Sequence, residues 1–260
     1  MSRAVRWSVT LAIAVFTSMT MVDWAAAQSI GSRVARVNDG VVMMSFAARE
    51  GVCGNGRNIQ MRNRHDMDDY WEDNCEPGPV RVLLEVRNGE ITDIDTYVGG
   101  RWRLGANATD LGTVSAPAAA DYLLSLVTTL PANAAKDAIF PALIADSVEA
   151  WPELLRIAKD ESMAREVRKN AVFWVGQAAT EEAVSGLADI VDEDAGDLEV
   201  KEHAVFALSQ MGNDESVPIL IRIARTHESR AVRKRAMFWL GQSADPRALE
   251  LFEEILLRRP

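Results

Sequence analysis

Few residues in this chain have types and spacings suited to chemistry. There are three histidines, His65, His203 and His227, and two cysteines, Cys53 and Cys75. The densest acidic stretch is His65-Asp-Met-Asp-Asp-Tyr-Trp-Glu-Asp-Asn-Cys-Glu76. Its carboxylates suit a hard cation such as calcium, which wants several oxygens. The calcium-loop pattern fails, because Tyr70 interrupts it and no glycine supplies the sharp turn, so the stretch reads as a solvated loop. Asp192-Glu-Asp-Ala-Gly-Asp197 is a second acidic run and reads as a surface connection. No serine, cysteine and histidine share a recognisable nucleophile arrangement, and no glycine-rich phosphate loop precedes a helix. No catalytic residue, cofactor site or metal site is assigned.

Cys53 and Cys75 lack a C-x-x-C spacing and have too few histidines nearby for a metal or redox site. They are expected to form one disulfide, closing a loop whose constraint contributes about 3 kcal/mol. The remaining candidate is a basic series: Lys136, Arg168 with Lys169, Lys201, and Arg233 with Lys234. If the elements carrying it stack side by side, the series lines up as a stripe. Arg168, Lys169, Lys201, Arg233 and Lys234 are the candidate partner-binding residues. The competing reading is a wet face paired with nearby Glu and Asp.

The elements that carry this series repeat. Ala138, Ala171, Ala204 and Ala236 step by 33, 33 and 32 residues, and so do Phe140, Phe173, Phe206 and Phe238, and Ile157, Ile190, Ile223 and Ile255. Such a period belongs to solenoids with two helices per unit. Val167, Ala171, Trp174, Val175 and Ala178 fall on one helical face and define the first helix of a unit. Leu187, Ile190 and Val191 mark the second. Thr180, Asp197, Ser229 and Asp245 before Pro246 are predicted helix caps. Gly176, Ser209 and Gly241 recur near the end of the first helix, where backbones are expected to approach closely. Gln177, Gln210 and Gln242 are expected to bond helix ends to the next unit. Trp174 and Trp239, matched by Ala207, are expected to fill the space between units.

On these positions the units resemble HEAT repeats, in particular the short type of phycobilisome-lyase-like proteins, over about residues 134–258. The first unit departs from the pattern, with Ile144 at the glutamine position and Pro141 at the tryptophan position, and reads as an irregular N-terminal cap. Some HEAT-like enzymes bind iron through repeated His-Glu pairs on successive helices. This chain has one such pair, His227-Glu228, which argues against that chemistry.

Before the repeats, Arg3 and Arg6 precede an uncharged apolar run from Trp7 to Val22, and Ala25-Ala-Ala27 follows. That is the pattern of a cleaved secretory signal over residues 1–27. The run of about 16 residues is short for a membrane span. The protein is expected to be exported, to a bacterial periplasm or beyond, without membrane insertion after cleavage. The net charge is −10, and loss of Arg3, Arg6 and Asp23 makes it one unit more negative. Such a balance disfavours nucleic acid, whose binding rests on neutralising phosphates.

Residues 28–112 show no helical repeat and read as a β-rich module. Val80–Arg87 and Glu90–Val98 flank Asn88-Gly89, a strong hairpin signal. Val41 to Ala47 reads as a further strand, and Val34 to Val37 as a short one. The expected fold class is α+β: a small disulfide-bonded antiparallel β module followed, over 113–260, by a HEAT-like solenoid. The expected function is non-catalytic binding of another protein or peptide on the solenoid surface in the cell envelope. The rival is a lyase-like or small-ligand- or metal-binding protein with its site between module and solenoid.

Overall fold

The computed structural model describes residues 26, 29–61, 75–101, 105, 108–178, 180–193 and 196–257. The expected signal over 1–27, apart from residue 26, lies outside them. So do His65 and the acidic run up to Asn74. The chain divides into two compact units, Met1–Glu149 and Ala150–Pro260. This division falls later than the change from strand to helix near residue 113.

The first unit is built on a six-stranded sheet of order β3-β2-β5-β4-β1-β6. Its strands are β1 (Gly40–Phe46), β2 (Val52–Gly56), β3 (Asn58–Met61), β4 (Val80–Arg87), β5 (Glu90–Gly99) and β6 (Ala108–Thr113). Strict alternation makes β4 a half-buried strand: Val80, Val82, Leu84 and Val86 are all buried, and the intervening residues lie nearer the surface. The turn to β5 is made by Asn88 (φ 53°) and Gly89 (φ 77°), the paired positive φ that a two-residue hairpin needs. In β5 both Ile91 and Ile94 are buried although they stand three apart. A bulge opposite Glu85 and Val86 explains this, since one extra residue resets the in-out alternation.

Two strand readings change. β6 pairs with β1 in parallel, so the sheet is antiparallel only in its other pairings. Residues 29–34 form a helical segment, α1, where a short strand was expected from Val34. Ile30 and Val34, four residues apart, are both buried, which a helical turn achieves as well as a strand would. The disulfide Cys53–Cys75 is present. Beside it Gly54 and Glu76 exchange two backbone hydrogen bonds at 3.0 Å, so the chain returns from the bridge to pair with β2, the strand next to the edge strand β3.

Three helices belong to the same unit: α2 (Ala116–Val127), α3 (Ala132–Asp137) and α4 (Ile139–Leu143). Ser115 caps α2 by accepting from the Ala118 N–H. Tyr122 lies in the core, and its ring approaches Gly31 closely enough that a Cβ there would sit 3.3 Å from it.

The second unit is a two-layer stack. One layer holds α5 (Trp151–Lys159), α7 (Glu181–Asp192), α9 (Asn213–Thr226) and α11 (Pro246–Leu257). The other holds α6 (Arg165–Gly176), α8 (Leu198–Ser209) and α10 (Arg230–Gln242). Neighbours touch within each layer and between layers. Ala171, Ala204 and Ala236 are fully buried in the three first helices. Thr180 and Asp197 cap α7 and α8 through their side-chain oxygens. Asp245 accepts from the Arg247 N–H and guanidinium, which hold its carboxyl down at about 2. Ser229 makes no side-chain cap.

Candidate functional site

The residues with recognition chemistry lie along the seams of the stack. Equivalent positions on α6, α8 and α10 fall into a forward and a backward face. The forward face reads Arg165, Lys169, Phe173, Gly176 on α6, then Leu198, Glu202, Phe206, Ser209 on α8, then Arg230, Lys234, Phe238, Gly241 on α10. These positions, at i, i+4, i+8 and i+11, share one side of a helix.

At the α6–α8 seam the Arg165 Nε bonds Asp197 at 2.7 Å and its Nη1 bonds Glu199 at 2.6 Å. Lys169 reaches Glu199 at 3.7 Å. A Cβ placed on Gly176 would lie 2.9 Å from the Ala207 Cβ and 3.3 Å from the Ala207 carbonyl oxygen. Glycine is required there because the two helices meet at that point. At the α8–α10 seam Glu202 pairs with Arg235 at 2.7 Å, and Phe206 packs on Trp239 with centroids 5.1 Å apart. Trp239 therefore fills space between units, as expected from its series, while its buried Nε1–H finds no acceptor among the described residues.

The second layer is tied in the same way. Lys159 pairs with Asp189 at 3.2 Å, Asp192 with Arg222 at 2.8 Å, and Arg225 with Glu254. Each pair joins the forward end of one helix to the equivalent backward position on the next. These exposed pairs contribute little stability, roughly 0–1 kcal/mol each. They define the lateral register of the helices.

The basic series divides once it is placed. Arg168 and Lys201 are buried, each with only 7% of its surface exposed, so they are not part of an accessible stripe. Arg168 Nε donates to the Ala158 carbonyl at 3.4 Å and Lys201 Nζ donates to the Glu193 carbonyl. Arg233, at the equivalent position, donates to the carbonyls of His227 and Glu228 at 2.6 and 2.7 Å. All three serve carbonyls at the C-terminal end of the preceding helix, where a cation offsets the helix dipole and unpaired C=O groups. Lys169 is occupied by Glu166 and Glu199. Of the five candidates, Lys234 is exposed and has no ionic partner among the described residues.

The two described histidines, His203 and His227, are accounted for locally. His227 Nδ1 accepts from the Ser229 N–H at 3.0 Å, so its Nε2–H donates to the Val191 carbonyl at 2.9 Å. Both ring nitrogens of His227 are thereby engaged in closing a loop. His203 is half-buried on α8; burial, reinforced by Lys169, pushes its pKa below the usual imidazole value. Gln177, Gln210 and Gln242 are exposed, and among the described residues they do not bond the next unit; Gln210 bonds Ser209 of its own helix at 3.1 Å. Among the described residues no group of three or more His, Cys, Asp or Glu could hold a metal ion. An open groove of about 310 Å³ runs between α7 and α9, with Val184, Ala188 and Ile219 in its floor and Glu181, Asp189 and Glu215 at its rim.

The sequence reading missed the open end of the stack. Ile157, Ile190 and Ile223 are 0%, 3% and 0% exposed, yet their equivalent Ile255 is 46% exposed. Val184 and Val217 are 3% and 1% exposed, whereas Leu249 at their position is 60% exposed. Phe238 is 54% exposed. The signal was available, because α10 and α11 keep the residue types that the interior units bury.

Comparison with known proteins agrees with this architecture. Residues 193–260 match the family model for HEAT repeats. No curated protein matches the chain. No helix among the described residues is long and apolar enough to cross a membrane. Over its last two helix pairs the chain is similar to HEAT repeats, which generally serve as protein-interaction scaffolds.

Proposed function

We propose that the protein is a non-catalytic scaffold of the cell envelope that holds another protein or peptide on the surface of its helical stack. The observation that carries this reading is the seam geometry. Ion pairs cross each junction within a layer, at Arg165–Asp197, Glu202–Arg235, Lys159–Asp189, Asp192–Arg222 and Arg225–Glu254. Helices held in lateral register present their outer residues at a constant spacing, which is the kind of many-contact surface that repeat arrays use. The similarity to HEAT repeats supports the same reading. The envelope location rests on the signal-like pattern of residues 1–27, with Arg3 and Arg6 before an apolar run and Ala25-Ala-Ala27 after it.

The test places photo-crosslinking residues at Gln177 and Gln210 of the stack, and at Glu90 of the sheet, in the native cell. The expected result is an adduct with another protein from the stack positions and none from Glu90. Absence of any adduct from the stack would overturn the scaffold reading. Recovery of the protein from the cytosol with residues 1–27 intact would overturn the envelope location.

A further inference from the structure

The forward face of α10 repeats that of α6 residue for residue. Arg165, Lys169, Phe173 and Gly176 recur as Arg230, Lys234, Phe238 and Gly241. On α6 this set seats a helix: its two cations hold the acidic first turn of α8, and its glycine lets Ala207 come close. On α10 the set faces outward. Arg230, Lys234, Phe238 and Gly241 are all exposed, and neither cation has an ionic partner among the described residues. A Cβ on Gly241 would meet nothing nearer than Phe252 Cζ at 3.8 Å, so the place that Ala207 fills beside Gly176 is open. Next to it Leu249 and Leu256, 60% and 78% exposed, extend the apolar strip along α11.

We infer that this face docks a helix of a partner protein that carries an Asp-x-Glu first turn and, ten residues after the Asp, an alanine. The inference rests on the scaffold reading and names the surface and the partner chemistry for it. The docked helix lies along α10 as α8 lies along α6. Its carboxylates meet Arg230 and Lys234, its alanine meets Gly241, and its body covers Phe238. We take the occupant to be a different protein because, among the described residues, this chain has no free copy of the matching face. Of its first helices, α8 alone combines the acidic turn Asp197-x-Glu199 with Ala207, and α6 already covers it. The backward face of α10 carries Ser229, Ala231 and Trp239, and that of α6 carries Trp174 where the alanine is needed.

The probe is a stapled peptide copying Asp197–Gln210, fluorescently labelled and titrated into the intact protein by anisotropy. Saturable binding is expected. The double substitution Arg230→Glu with Lys234→Glu weakens it about tenfold, the effect of losing two exposed ion pairs and adding like-charge contacts. A peptide with Asp197→Lys and Glu199→Lys restores binding to that variant. Gly241→Leu abolishes binding while leaving the circular dichroism in place and the melting temperature no lower, because among the described residues nothing occupies that space. Equal binding of the peptide by wild type and the charge-reversed protein would overturn the inference, as would no saturable binding. A dimer of the protein alone that Phe238→Asp dissolves would assign the face to a second copy and overturn it as well. If the peptide fails while crosslinks from Gln177 and Gln210 still form, the end face is excluded and the scaffold reading stands.

Discussion

One substitution made at two equivalent positions should act with opposite signs. Gly176 and Gly241 both end a first helix, and neither needs a positive φ. Replacing a helical glycine with alanine is worth about 0.5–1 kcal/mol through reduced backbone entropy. At Gly241 nothing among the described residues opposes that gain, since beyond its own helix backbone the new Cβ meets only Phe252 Cζ at 3.8 Å. Gly241→Ala is therefore expected to stabilise the protein by about 0.5–1 kcal/mol. At Gly176 the new methyl would stand 2.9 Å from the Ala207 Cβ and 3.3 Å from Ala207 Cα and O. Those are not the far ends of a flexible side chain, so α8 itself must move. Overpacking of this kind costs about 1–3 kcal/mol, which exceeds the entropic gain. Gly176→Ala is expected to destabilise by about 1 kcal/mol net. Urea unfolding of both variants measures the two effects. A double-mutant cycle with Ala207→Gly should register a favourable coupling between the two positions of about 1 kcal/mol, although Ala207→Gly carries its own helix cost. Shifts of the same sign at both positions would refute the argument that one seam is closed and the other open.

Lys201→Met keeps the apolar stem but removes the cation from the Glu193 carbonyl, and should cost about 2 kcal/mol by urea unfolding. Burial raises the Tyr122 phenol to about 12. The folded state thus holds a proton that the unfolded chain releases near 10. This contribution, about 2–3 kcal/mol, is complete below pH 10 and is lost as pH climbs toward 12; Tyr122→Phe should remove that alkaline slope. The depressed His203 pKa acts at the other end. Its contribution is complete above about pH 6.5 and declines as acid protonates the unfolded chain first, so His203→Gln should flatten stability below that pH. Cys53→Ser with Cys75→Ser should lower the stability of the first unit by about 3 kcal/mol, read from its unfolding transition.

Much of the second unit was legible because its signals are redundant. The Ala, Phe and Ile series, the caps Thr180 and Asp197, and the glycine at 176 each point to the same stack. The Asn88-Gly89 hairpin was legible for a similar reason, since a two-residue turn with two positive φ values admits few sequences. β6 was not, because Ala-Thr-Asp-Leu-Gly-Thr has one buried residue and no alternation. The segment around Val34 misled because over so few residues apolar spacing fits both periods. Arg168 and Lys201 misled more instructively. Their spacing was read correctly, but a long basic side chain does not reveal from its position whether its head reaches water or a nearby carbonyl. The open end needed a comparison of exposure between equivalent positions, which spacing alone does not supply.

The pairs in the second layer change sign from one junction to the next: Lys159 to Asp189, Asp192 to Arg222, Arg225 to Glu254. Excising one 33-residue unit would set Lys159 against Arg222, cation to cation, whereas excising two would set it against Glu254. The array thus has a parity. A change of two units keeps opposite charges facing at the altered junction, whereas an odd insertion or deletion sets like charges there, at a cost of roughly 0–1 kcal/mol.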